Sequence, residues 1–178
     1  MALETVLPAD LSRRLELIRL AIPADARAIL EMIEPVFREG ETYAVSRDLS
    51  SDEALEYWLA DGHEVFVYED EGGQVLGTYF LQANQRGGGS HVANCGYITH
   101  KQAKGRGIAR AMCGHSLERA KARGFRAMQF NFVVSTNERA VRLWESLGFV
   151  TVGRLPKAFR HPAFGYVDAL VLFKSLCE

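Results

Sequence analysis

Residues 91–112 read HVANCGYITHKQAKGRGIARAM. The first nine alternate as a strand does. From Arg106 onward, Ile108, Met112, Leu117 and Ala120 recur at helical spacing until Gly124. RAMQFNFVV at 126–134 then returns to a strand pattern. Strand–helix–strand units of this kind imply an α/β sheet with helices packed on it. The junction itself is unusual, with Gly105 and Gly107 among Lys104, Arg106 and Arg110. The first backbone N–H groups of a helix lack helical partners and carry the positive end of its dipole. Glycines without a Cβ let those groups approach a phosphate closely.

The remaining elements agree with a mixed sheet. Residues 1–13 read as a loose arm, and LELIRLA (15–21) as a first strand. Pro23 stands where a helix begins; Ile29, Met32, Ile33, Val36 and Phe37 recur at helical spacing, and Gly40 stops them. Ser50 and Glu53 form a capping box for a short helix carrying Leu55, Trp58 and Leu59. EVFVYED (64–70) and QVLGTYFLQAN (74–84) read as a hairpin. Ser135 and Glu138 suggest a second capping box ahead of Ala140, Val141, Trp144 and Leu147. FVTVGRL (149–155) and GYVDALVLF (165–173) read as the last strands. QRGGGS (85–90) is a flexible connection, but dividing the chain there leaves neither half a convincing core, so residues 1–178 are expected to form one domain.

Composition narrows the function classes. A formal net charge of −1 gives no global basic footprint for nucleic acid. Cys95, Cys113 and Cys177 are widely spaced and odd in number, without the paired spacing of a zinc site, so reduced thiols and no metal are expected. The N-terminal stretch has no long apolar segment, and no run approaches the roughly 18 apolar residues of a membrane span. A cytoplasmic location without membrane partners is the expectation.

Three phosphate ligands suit such a junction. A Walker loop needs four residues between its glycines and then Gly-Lys, which is absent. A dinucleotide fingerprint wants glycine or alanine where Arg110 stands. An acyl-CoA pyrophosphate remains. Gln102-Ala103-Lys104-Gly105-Arg106-Gly107 resembles the Q/R-x-x-G-x-G/A signature of the GNAT superfamily of N-acetyltransferases. Asn137, Leu143-Trp144 and Gly148-Phe149 resemble that family's next helix and terminal Gly-Phe. HVANCGYIT, FNFVVSTN, RLWESLGF, VGRLPKAF and GYVDALVLF are similar to the fungal acetyltransferases that detoxify azetidine-2-carboxylate, and to their bacterial relatives.

The resemblance implies an α/β fold: a GNAT-type mixed central sheet with a splayed parallel strand pair and flanking helices. It implies acetyl-CoA between strands 92–99 and 126–134, with the pantetheine arm on the backbone of Cys95, Tyr97 and Thr99. The pyrophosphate is then expected on N–H groups from Ala103 to Ile108, along the Gln102–Ile108 turn, with Asn137 close to the cofactor. Asn94 and Asn131 match asparagines implicated in acceptor binding and catalysis. Their chemistry agrees, because Asn131 interrupts an apolar strand where an unpaired buried amide would cost about 1–3 kcal/mol. Thr42 and Tyr43 lie where the family often builds its acceptor wall. Many members carry a tyrosine where this chain has Trp144, whose indole is no useful acid; unassisted departure of the CoA thiolate is chemically reasonable.

The expected activity is direct acetyl transfer to a small amine, imino acid or amino acid. A protein N-terminal or lysine acetyltransferase, which would favour an open acidic groove, and a non-catalytic acyl-CoA-binding regulator are the alternatives. Arg47 and Arg160 are candidates to pair with a substrate carboxylate, and His91 is a candidate base. A homodimer is left open.

Overall fold

Helix α1 (Ala9–Glu16) leads into strand β1 (Ile18–Leu20), helices α2 (Ala26–Glu39) and α3 (Ser51–Trp58), and strands β2 (Glu64–Glu69), β3 (Val75–Ala83) and β4 (Val92–Thr99). Helix α4 (Ile108–Ala122), strand β5 (Ala127–Val134), helix α5 (Glu138–Ser146) and strands β6 (Val150–His161) and β7 (Gly165–Ser175) complete the order. The structure, a computed structural model, describes residues 9–177. Seven strands form one sheet in the order β1-β2-β3-β4-β5-β7-β6. Every neighbouring pair is antiparallel except β4 and β5. From β1 onward the elements follow the order that the sequence predicts.

The two faces of the sheet carry separate apolar clusters. Phe66, Tyr79, Leu81, Cys95, Met128 and Phe130 point to the side of α4 and α5, where they meet Ile108, Met112, Leu117 and Trp144. Val65, Val67, Phe80 and Ile98 point the other way, against Ile29, Ile33 and Phe37 of α2 and Trp58 of α3. Each fully buried side chain of this size contributes about 1.5–3 kcal/mol. Strand period 2 and helix period 3.6 therefore agree on one arrangement.

Two local expectations are corrected. Residues 1–8 of the expected loose arm lie outside the described residues, but from Ala9 the chain is helical. That helix takes Leu15 and Glu16 from the expected first strand and leaves β1 three residues long. Leu15 and Leu17 pack on the core, and Arg13 and Arg14 stand favourably in the last helical turn. The second correction concerns α5. Its N-cap is Asn137, whose side chain accepts from the Ala140 N–H at 3.3 Å, and no Ser135–Glu138 box forms. Ser135 is instead held by its N–H, which donates to the Asp168 carbonyl at 2.9 Å. The first capping box does form: Glu53 N–H donates to Ser50 Oγ at 3.2 Å and Ser50 N–H to Glu53 Oε2 at 2.7 Å.

Candidate active site

Strands β4 and β5 pair only through Val92–Ala127 and Ala93–Met128, and then part. The Asn84 N–H donates to the Val92 carbonyl and the His100 N–H to the Leu76 carbonyl, both at 2.8 Å. With the β3–β4 register, this turns the backbone groups of the even-numbered β4 residues toward β3. Those of Ala93, Cys95, Tyr97 and Thr99 therefore turn toward β5. A continued parallel ladder would join the Cys95 N–H to the Gln129 carbonyl. That carbonyl instead accepts from Asn94 Nδ2 at 2.8 Å. One side chain replaces the next rung, and the backbone of Cys95, Tyr97 and Thr99 is left facing an open gap.

Asn131 stands on the far side of that gap. The β5–β7 register shifts between Phe130 and Val133, so Asn131 and Phe132 lie outside the ladder. This is why an apolar strand tolerates an asparagine there. Asn131 is exposed. Its Nδ2 donates to Asn84 Oδ1 at 2.6 Å and its Oδ1 accepts from Gln129 Nε2 at 2.8 Å. Extending the strand registers by one residue also aligns His63, Gln82, Asn94 and Gln129 across four strands on the α2–α3 face. The rim of the gap on this side is thus made of carboxamides. Asn84 and Gln129 carry no signal in sequence, since each acts only through a neighbour brought by the register.

On the α4–α5 side a cluster of rings stands beside the gap. Tyr97 lies 5.0 Å from Trp144 and 5.8 Å from Phe130 between centroids, and its hydroxyl shares a 2.6 Å hydrogen bond with Ser116 Oγ. Burial pushes the Cys95 thiol well above its ordinary range, so it stays protonated. Trp144 is 7% exposed and packs within this cluster, as its place on an apolar helical stripe predicts.

At the top of β4, a short turn of 3-10 helix (Lys101–Ala103) precedes Gly105 and Gly107, with φ of 89° and 78°. Side chains rarely adopt these values, so both positions require glycine. Gly107 is the N-cap of α4 and has no side chain to satisfy the first turn. The turn uses the N–H groups of Ala103 and Arg106 internally, donating to the His100 and Ala103 carbonyls at 2.9 and 3.3 Å. Gln102 N–H likewise donates to His100 Nδ1 at 3.3 Å. The N–H groups of Gly105, Gly107 and Ile108 have no partner among the described residues. The N–H groups left open in the turn are therefore fewer than the Ala103–Ile108 run the sequence suggests. Two further cations join Lys104 and Arg106. Arg14 of α1 donates to the Arg106 carbonyl, and Arg139 of α5 stands 3.9 Å from where a Cβ on Gly105 would be. They come from distant parts of the chain, which is why no local motif announces them.

The remaining candidates divide. Tyr43 reaches the gap, donating its hydroxyl to the Tyr97 carbonyl at 3.0 Å, while Thr42 beside it is half-buried. Arg47 is committed to the end of α2, donating to the Arg38 carbonyl at 2.8 Å. His91 sits at the paired end of β4, its Nδ1 3.1 Å from the Gly88 carbonyl, and Arg160 is exposed on β6. Among the described residues no helix is long and apolar enough to cross a membrane.

Known proteins share this fold. The chain is 40% identical to a GCN5-related N-acetyltransferase of Kribbella flavida, with a TM-score of 0.85 over 89% of this chain and 96% of that one. It is 25% identical to yncA of Salmonella typhimurium, solved with its cofactor acetyl-CoA, with a TM-score of 0.78 over 90% of this chain and 94% of that one. N-acetyltransferase aca1 of Schizosaccharomyces pombe is 35% identical over 98 residues, 54% of this chain and 47% of the relative, so the chain spans about half the length of that protein. A family model described as acetyltransferase (GNAT) matches residues 27–149, well over half of the chain. With the splayed parallel pair and the glycine turn already in place, this match identifies the chain as a member of the acetyltransferase (GNAT) family.

Proposed function

We propose that the chain is an acetyl-CoA-dependent N-acetyltransferase that acts by direct transfer on a small amine, imino acid or amino acid. The carrying observation is the ladder that ends at Ala93–Met128, because it leaves a strand edge free to pair with an extended donor. The backbone of Tyr97 and Thr99 would hold the pantetheine arm. The free N–H groups of Gly105, Gly107 and Ile108, with the charges of Lys104 and Arg106, would hold the pyrophosphate. Gln102 and Ala103 would shape that turn, and Asn137 would border the cofactor while capping α5. Acetyl-CoA in the yncA relative supports this reading.

The Cys95 N–H, displaced from its ladder partner by Asn94, is the donor best situated to polarise the thioester carbonyl. Transfer forms a C–N bond and breaks the C–S bond; the electron pair leaves on sulfur and the amine proton passes to solvent. Trp144 supplies no proton. Asn94 acts by fixing the gap, Asn131 by hydrogen bonding to the acceptor, and Thr42 and Tyr43 border the acceptor side. The carboxamide rim favours a small polar acceptor over a cationic peptide, which would call for carboxylates. A soluble enzyme that needs no metal is part of the same reading.

The test is thiol release from acetyl-CoA over a panel of amino acids, proline analogues, polyamines and peptides. Turnover with an amino or imino acid is expected. Turnover confined to peptides would replace the acceptor class, and CoA binding without turnover on any acceptor would favour a non-catalytic binder.

A further inference from the structure

The gap between β4 and β5 is lined differently on its two sides. Gly96 lies on β4 just past the last rung, and its side-chain position points to the α2–α3 face. A glycine there ought to open space for a ligand, but the protein has already filled it. A Cβ built on Gly96 would stand 2.5 Å from a ring carbon of Phe80 and 3.2 Å from the Tyr43 hydroxyl. Two aromatic side chains therefore rest directly on the backbone at the point where the strands part.

Both are held rigidly. Tyr43 meets Phe37 edge-on at 5.5 Å and Trp58 at 6.0 Å. Phe80 meets Trp58 at 5.0 Å and stacks on His63 at 4.1 Å. Trp58 is itself fixed by its indole N–H, which donates to Thr78 Oγ1 at 3.0 Å. The Tyr43 hydroxyl donates to the Tyr97 carbonyl at 3.0 Å, and that carbonyl belongs to the row turned toward the gap. Tyr43 thus enters the gap from the acceptor side and is tied to the strand edge that a donor would use.

We infer that Tyr43, backed by Phe80, limits the acyl group this site accepts to acetyl. The inference rests on the donor reading above. An acyl group carried on CoA would end near Cys95 and Gly96, and each carbon beyond the acetyl methyl has to find room there. On the α4–α5 side the rings of Tyr97, Phe130 and Trp144 pack against one another at 5.0–5.8 Å between centroids. On the other side an added methylene meets the Tyr43 hydroxyl. Moving Tyr43 breaks its bond to Tyr97 and disturbs four interlocked rings. A single methylene misfit in a close-packed pocket discriminates by roughly 10–200-fold. The chemistry of transfer is the same for every acyl length, so the selection acts on fit alone.

The experiment is calorimetry of CoA, acetyl-CoA, propionyl-CoA and butyryl-CoA on the wild type, Tyr43→Phe and Tyr43→Ala, together with kcat/KM for the three thioesters on one acceptor. The wild type is expected to favour acetyl over butyryl by at least ~10-fold in affinity and in kcat/KM. Tyr43→Ala is expected to reduce that ratio about tenfold, and Tyr43→Phe, which loses only the hydroxyl, by a smaller amount in the same direction. If CoA binds and affinity does not depend on acyl length, Tyr43 is no limit, although the donor reading stands. If no CoA species binds, the donor reading fails first. If Tyr43→Ala does not fold, an unchanged ratio in Tyr43→Phe overturns the inference on its own.

Discussion

The Asn94 carboxamide donates to the Gln129 carbonyl at 2.8 Å, where a continuous ladder would have placed the Cys95 N–H. A side chain therefore opens the sheet, and the cost of opening it is small because the carbonyl on β5 stays satisfied. Replacing Asn94 with alanine removes that bond. The variant is expected to lose about 1–3 kcal/mol of stability in denaturant melts and to turn over at least ~10-fold more slowly. Asn94→Asp keeps the shape but puts a carboxylate against a carbonyl, so it should restore neither. Wild-type turnover in a folded Asn94→Ala protein would assign the opening to other residues.

Asn131 is exposed, so its removal tests chemistry with little effect on folding. Asn131→Ala is expected to lower kcat/KM for the acceptor by about 10²-fold while CoA affinity stays within a few-fold. Asn84→Ala, which takes away only the partner of Asn131 Nδ2, should give a smaller effect of the same kind. Equal losses in CoA affinity and turnover would move Asn131 from the acceptor side to the donor side.

Gly107 combines φ of 78° with a place at the head of α4. Gly107→Glu adds a strained backbone and a negative charge where an anion is proposed to bind. Calorimetry is expected to show CoA affinity reduced at least ~100-fold in the folded variant. Gly107→Ala, with the strain but no charge, should lose less. An unchanged affinity in Gly107→Glu would remove the turn from the donor site.

Trp144 fills the ring cluster beside Tyr97 and Phe130. Trp144→Phe is expected to cost about 1–3 kcal/mol through lost packing and to keep most of the chemical rate. A fall in single-turnover rate beyond about a hundredfold without loss of stability would make Trp144 part of the chemistry.

One ion-pair network sets a pH dependence. The Arg19 guanidinium donates to both oxygens of Asp25 at 2.7 and 2.9 Å and holds that carboxyl below its usual range, helped by the Ile22 N–H. Because the folded value is depressed, the stabilisation is present above the ordinary carboxylate range and is lost as pH falls through the folded value. Arg19 is 39% exposed, so solvent screening limits the effect to about 1 kcal/mol. Asp25→Asn should be less stable than the wild type at pH 7, with the difference vanishing in acid. A difference that grows on acidification would contradict the sign.

Much of this was legible in the residues themselves. Gly40, Gly105 and Gly107 occupy the left-handed positions that a helix end and a tight turn require. The apolar periods of 108–120 and 126–134 place a helix and a strand correctly. Asn94 and Asn131 were conspicuous as amides in strands, but sequence cannot say that one of them binds a carbonyl and the other an amide pair. Those partners depend on a register set by strands 30 or more residues apart. The α1 helix was hidden because LELI satisfies both an alternating and a helical pattern. Asn137 caps α5, a role its residue type favours because asparagine is among the strongest N-caps, while the family resemblance points only to its nearness to the cofactor.

The chain has two tryptophans, and they flank the gap from opposite faces. Trp144 touches Tyr97 on one side, and Trp58 touches Tyr43 on the other. Intrinsic emission is therefore a built-in optical gauge with two separable channels. With Trp144 replaced by phenylalanine, the remaining signal comes from beneath Tyr43 on the proposed acceptor side; with Trp58 replaced, it comes from beside Tyr97 on the proposed donor side. Stopped-flow traces of the two single-tryptophan forms would then time the arrival of each substrate, and so give the order of binding without a label.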